Sequence, residues 1–245
     1  MKKQILKSAL VVMAGVGLLA GSALATPVLP GTETPLQSAL AGLGYNIDVN
    51  DDQVINDSYW TVSEGTLSGS WATLLIEIAG NKDSNTFGIY DQSGNIYQLM
   101  DGVSSPYDKI SMTWNPKTDL FSAVFWGTDG PITAIWENET LDQVFGFYIG
   151  TKEENFYSDS TWNPEGQDQM VAYKGTGTNG LSVGHYIIAF EDMQYNTSDK
   201  DFNDMVLLVE SVNPATPVPE PATTLLFGAG LAGLAAMSRR RKGQD

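Results

Sequence analysis

The stretch HYIIAFEDMQYNTSDKDFNDMVLLVE, residues 185–210, decides how this chain is read. Two apolar runs, His185 to Glu191 and Met205 to Ser211, enclose a polar connection. Their length and their β-branched and aromatic content fit strands better than helices. Paired as a hairpin, they bring Glu191, at the end of one strand, close to Asp201 to Asp204 at the start of the next. Carboxylates packed this closely repel one another, and a hard divalent cation relieves the repulsion. Calcium suits the setting, because it accepts six to eight oxygen ligands in irregular geometry. The predicted ligands are Glu191, Asp192, Asp199, Asp201, Asn203 and Asp204.

An EF-hand is the competing reading, since Asp199, Asp201 and Asn203 take its first three ligand spacings and Glu210 its twelfth. It fails on two counts. Asp204 stands where the sharp turn needs Gly, and Met205 to Val209 is an unbroken apolar run that reads as a strand. Asp48 to Asp52 and Asn81 to Asn85 also alternate oxygen donors but lack a completing Glu, so each is a lesser ion candidate or an ordinary turn. The single His185, on a predicted strand, reads as structural, and with no Cys the usual zinc ligand sets are excluded.

Outward from this stretch the same punctuation recurs. Further strands are predicted at Trp71 to Ala79, Thr86 to Tyr90, Ile96 to Met100, Lys109 to Trp114, Leu120 to Phe125, Val144 to Ile149 and Gln169 to Tyr173, with one short helix at Pro35 to Leu43. Nine strands separated by Gly, Asn, Asp and Pro clusters predict an all-β fold, an antiparallel β-sandwich of jelly-roll-like form. The domain spans 26–213, roughly 190 residues, enough for one sizeable core. It carries 27 Asp and Glu against 6 Lys, a net of −21. Nucleic-acid phosphates are repelled by such a surface, because binding them relies on Lys and Arg.

The two ends read as export signals. Residues 1–25 read as a signal helix, with a basic start at Lys2, Lys3 and Lys7, an apolar run from Ala9 to Ala20, and the small-x-small pattern Ala23-Leu24-Ala25. Cleavage after Ala25 makes Thr26 the first mature residue, and the secretion translocon is the implied partner. At the rear, a Pro-rich linker over 214–221 contains Pro219-Glu220-Pro221, and 222–242 joins an apolar segment, read as a helix, to Arg239-Arg240-Arg241-Lys242. Sixteen apolar residues at about 1.5 Å each give a helix of roughly 24 Å, short for a bilayer core. The basic cluster places the acidic domain outside the cytoplasm. An ordinary single-span anchor in the inner membrane is the alternative.

Pro219-Glu220-Pro221, the Gly- and Ala-rich segment and the Arg run resemble the PEP-CTERM sorting signal of Gram-negative bacteria. The resemblance implies an exosortase that removes the tag after transient anchoring in the inner membrane, and release to the surface or exterior of cells that make exopolysaccharide. Phe190-Glu191-Asp192-Met193 and Asp199-Lys200-Asp201-Phe202-Asn203-Asp204 resemble the end of a bacterial domain of unknown function, number 4114. Asn85 to Asp91 and Phe156 to Met170 look similar to PEP-CTERM members of that group, which extends the resemblance over most of the mature chain. It implies a calcium-binding β-fold and no known activity.

The leading expectation is a non-catalytic, calcium-binding surface or matrix protein. Its alternative is a carbohydrate-binding module for secreted exopolysaccharide, with Trp136 and Trp162 as stacking rings and Trp60 also near a loop. Glycoside hydrolysis by Glu191 with Asp201 or Asp204 is disfavoured, since clustered oxygens favour a cation that keeps the carboxylates ionised.

Overall fold

The computed structural model describes residues 25–63, 68–76, 84–115, 117–127 and 133–215. The two end helices expected from the sequence, the cleavage residue Ala23, the sorting residues Pro219, Glu220, Pro221, Arg239, Arg240 and Arg241, and Asn81 to Asp83 lie outside the described residues. In chain order the elements are α1 (Leu36–Gly42), β1 (Tyr59–Val62), β2 (Ser68–Ile76), β3 (Thr86–Asp91), β4 (Ile96–Met100), β5 (Lys109–Asn115), β6 (Leu120–Trp126), β7 (Thr133–Thr140), β8 (Val144–Gly150), β9 (Asn155–Tyr157), β10 (Met170–Lys174), β11 (His185–Phe190), β12 (Met205–Glu210) and β13 (Val212–Ala215).

All strand pairs are antiparallel, in two sheets. One runs β13-β1-β8-β3-β4, with β9 also on β8, and the other runs β10-β11-β12-β2-β5-β6-β7. Between them lies the main core, in which Trp60, Phe87 and Phe147 from the first sheet meet Ile110, Phe121, Tyr186, Phe190 and Leu207 from the second. This is the predicted sandwich. The chain crosses repeatedly between sheets, as a jelly roll does, while β5-β6-β7 and β10-β11-β12 are plain meanders.

The unbroken apolar run of β11 has a physical cause, since both of its faces are covered. Tyr186, Ile188 and Phe190 point into the main core. Ile187 and Ala189 join a second core with Val171, Tyr173 and Val206. That second core is roofed by the N-terminal segment and α1, through Val28, Leu36, Leu40, Ile47 and Val49. Leu36 and Leu40 are one helical turn apart, so both face the sheet. Pro35 sits at the N-cap of α1, where its missing N–H costs nothing.

Four strands escaped the sequence reading. β7 is exposed along nearly its whole length and carries Glu137, Asn138 and Glu139, so it has no apolar alternation to find. β1 and β9 are short. β13 contains Pro214, tolerated because the strand is at a sheet edge. It also takes up the first two residues read as linker, Pro214 and Ala215. β2 begins three residues before its predicted start, at Ser68.

On the outer face of the first sheet, Gly88 lies opposite Tyr148, and Tyr90 lies opposite Gly146. Each tyrosine ring lies over the opposing glycine. A Cβ on Gly146 would come within 2.3 Å of the Tyr90 ring. A Cβ on Gly88 would come within 2.4 Å of the Tyr148 ring and 2.3 Å of the Tyr97 carbonyl oxygen. A side-chain ring can shift, whereas a carbonyl in a strand cannot without breaking its ladder. Gly88→Ala is therefore expected to cost more than Gly146→Ala, at the upper end of the about 1–3 kcal/mol typical of overpacking. Urea unfolding of the two variants measures the difference, and equal losses would contradict this account.

Candidate functional site

The site is built on the β11–β12 hairpin, whose register pairs Phe190 with Met205. Glu191 continues β11 and Asp204 precedes β12, so the two ends of the acidic loop meet, as the hairpin reading predicts. The Asp192 N–H donates to Asp204 Oδ2 at 2.8 Å and closes the loop at its base. Phe202, fully buried, plugs the loop into the second core. Its φ of 52° and the 64° of Lys200 are left-handed values that non-glycine residues rarely adopt. The buried ring and the polar contacts of its neighbours hold that strained turn in place.

Within this frame one carboxylate oxygen each from Glu191, Asp199 and Asp201 lies within 4.8 Å of the other two. Glu191 and Asp201 are buried and Asp199 is exposed. Glu191 Oε1 accepts the Phe202 N–H at 2.7 Å, while Oε2 is buried with no partner. Asp201 is aimed by Asn203, whose Nδ2 donates to its Oδ2 at 2.7 Å and also to the Thr34 carbonyl at 2.9 Å. The one basic side chain of the loop does not relieve the repulsion, because the Lys200 ammonium lies over the Tyr195 ring, 4.4 Å from its centre.

The six predicted ligands therefore divide. Glu191, Asp199 and Asp201 converge, and Asn203 serves as their positioning donor. Asp192 and Asp204 belong to a neighbouring pair, where Asp192 Oδ2 accepts from Asn85 Nδ2 at 2.8 Å. Asn85 is itself fully buried, and its Oδ1 has no partner. Burial pushes the Glu191 carboxyl up to about 7, opposed by the Phe202 N–H and the Ser198 side chain, with Asp201 and Asp199 adding to the rise. Asp201 rises to about 6, through burial and then Asp199. Asp204 rises to about 8, through burial and then Asp192.

Sequence reasoning missed the segment that closes the site from outside. Leu29 N–H donates to the Lys200 carbonyl at 2.8 Å, and Thr32 N–H to Asp199 Oδ2 at 3.3 Å. Between them Gly31, at φ 59°, lies so close that a Cβ would sit 2.0 Å from Asp201 Oδ2. The Pro30-Gly31 pair was the available signal, because such a dipeptide marks a tight turn.

The lesser clusters resolve differently. Asp48 Oδ1 accepts from the N–H groups of Asn50 and Asp51, and Asp52 Oδ2 accepts from that of Asp48, so this is a self-bonded turn. His185 faces Glu210 across the strand pair, Nε2 to Oε2 3.7 Å. Trp60 is fully buried, its indole N–H on the Asp57 carbonyl. Trp136 packs edge-on against Tyr97 and donates to the Gln98 carbonyl at 2.7 Å, tying β7 of one sheet to β4 of the other. Trp162 is 39 % exposed, lying on Tyr90 and Tyr157.

Among the described residues no helix is long and apolar enough to cross a membrane. Neither the curated proteins nor the solved structures contain a match to this chain. Two family models do match. Residues 131–212 match the Domain of unknown function (DUF4114), a span that contains the whole acidic hairpin but starts well after Asn85, so the resemblance is narrower than the sequence reading has it. Residues 217–242 match the PEP-CTERM protein-sorting motif, which marks the chain for exosortase-type processing at the membrane and export to the surface or exterior of a Gram-negative bacterium.

Proposed function

We propose that this is a non-catalytic surface or matrix protein whose acidic hairpin binds a calcium ion through Glu191, Asp199 and Asp201. The observation that carries the reading is Glu191, a fully buried carboxylate with an unpartnered oxygen beside two further carboxylates. An unpaired buried charge is costly, and a cation at that point offsets the cost. Asp192, Asp204 and Asn85 stand close enough to support the loop from behind.

A glycosidase acid would also use a carboxyl near pH 7. Access argues against that role. The cavities of about 450 Å³, between Gln98 and Ile135, and about 390 Å³, between Thr151 and Thr197, are not lined by Glu191, Asp199 or Asp201. For polysaccharide binding, the partial exposure of Trp162 is a favourable observation. Trp162→Ala should then weaken binding to the producer's exopolysaccharide in a pull-down while Trp136→Phe should not, and unchanged retention of both variants would dismiss that role.

Calorimetry with calcium tests the ion site. Glu191→Gln and Asp201→Asn are each expected to lower affinity at least tenfold, and Gly31→Ala to lower it too by displacing Asp201. Wild-type protein that neither binds calcium nor gains melting temperature from it refutes the reading.

The same groups set a pH dependence. Their folded pKa values are raised, so in metal-free protein the folded state binds more protons than the unfolded state above about pH 4. Stability is full below that point and falls as pH climbs through about 6 to 8. Saturating calcium should flatten the decline between pH 5 and 8, and thermal melts across that range with and without calcium would reveal a parallel decline in both if no ion binds.

A further inference from the structure

Away from the acidic hairpin, the start of the mature chain occupies a seat of its own. Thr26 donates its N–H to Gln53 Oε1 at 2.9 Å and accepts from Gln53 Nε2 on its carbonyl at 2.7 Å. Its hydroxyl donates to Asp168 Oδ2 at 2.5 Å. Two residues on, Asn50 clamps Val28 in the same manner, accepting its N–H and donating to its carbonyl. Val28 itself is buried in the second core, while Ala25 is exposed. The chain is thus gripped from Thr26 onward, at the point where the small-x-small pattern places the cut.

The seat contains the carboxyl of Asp168, which acts electrostatically on that of Asp57. Burial and then Asp168 push Asp57 well above the usual carboxylate range, opposed only by its own backbone N–H. Asp168 is likewise raised by burial, against hydrogen bonds from Thr26, Met170 and Gln169. In the uncleaved chain Thr26 brings a neutral amide whose single N–H is already committed to Gln53. Hydrolysis of the Ala25–Thr26 bond by water leaves Ala25 as a carboxylate and Thr26 as an ammonium. That ammonium has three N–H donors and a full positive charge, on the residue whose hydroxyl already binds Asp168.

We propose that Gln53 and Asp168 form a binding site for a primary ammonium, and that its ligand is the chain's own α-amino group at Thr26, created by signal cleavage. The proposal rests on the export reading in which the cut follows Ala25. Cleavage then does more than release the chain. It installs a cation in a domain that has only 6 Lys against 27 acidic residues. It also pins the segment that continues through Leu29, Gly31 and Thr32 to the acidic loop.

The test uses the full-length gene expressed with export, and begins by finding the first residue of the mature protein by mass spectrometry. A start other than Thr26 overturns both the cleavage reading and the proposal. With Thr26 first, two residues, Gly-Ser, are inserted between Ala25 and Thr26, moving the ammonium out of the seat while Thr26 keeps its amide. The insertion is expected to lower the melting temperature by about 3 °C or more, and to change nothing in an Asp168→Asn background. An equal fall in both backgrounds, or none in either, overturns the proposal and leaves the cleavage reading standing. Acylation of the α-amine supplies a readout free of folding differences between variants. Protection of at least tenfold in the native wild-type protein relative to the urea-unfolded one supports the seat, and equal rates overturn it.

Discussion

A carboxylate removed from water must be given a partner, and in this chain that demand falls on Glu191. It stands at the end of β11, fully buried, with one oxygen on the Phe202 N–H and the other unmatched. Much of the surrounding structure follows from holding it there. Phe202 has to enter the second core for its N–H to reach Glu191, and that insertion forces left-handed backbone at Lys200 and Phe202. The turn in its place brings Asp199 and Asp201 to the same point. Three like charges within 4.8 Å would drive the loop apart unless something outside it pressed back.

The outside pressure comes from an unusual layering. The β10-β11-β12 meander buries both of its faces, one in the sandwich and one under α1 and the N-terminal segment. Because Val28 is anchored in that second layer, the residues after it are drawn across the acidic loop, and only a glycine at position 31 leaves room for Asp201. The hairpin is therefore held between its own strands beneath and a strap above. Apolar packing supplies the clamping force, and the polar contacts of Asn203, Thr32 and Thr34 set the geometry.

How much of this was legible in the sequence depends on the range of the interaction. The β11–β12 pairing, and with it the meeting of Glu191 with Asp201 to Asp204, follows from two apolar runs and the acids between them. All nine predicted strands exist, because each carries enough apolar residues to show a pattern. β7 does not, being an exposed edge whose place is fixed by its ladder with β6 and by Trp136 reaching across to Gln98. The Trp136 contact joins residues 38 apart in the chain, and no local period records it. The same limit explains Trp136, read as a sugar platform and found as a tie between sheets. It also explains why six acids and amides read as one ligand set divide into a converging trio, Asn203 as its positioning donor, and a supporting pair. The oxygens lie close together in sequence, but the left-handed backbone at Lys200 and Phe202 turns Asp199 and Asp201 toward Glu191 and leaves Asp204 beside Asp192.

Excess negative charge works against a compact state through self-repulsion, and two of the places where acids act on one another are the Glu191 trio and the Asp57–Asp168 pair. Within the proposed reading each place is neutralised by a different cation, and neither cation belongs to the precursor in the cytoplasm. On that reading the exterior supplies the calcium ion, and cutting the leader creates the ammonium. Both act on one segment, since Thr26 fixes its start and Asp199 and Asp201 meet its end. An acidic domain arranged in this way is least satisfied before export and most satisfied after it. The strong negative charge, which would otherwise be only a solubility device, then also favours completion of the fold outside the cell.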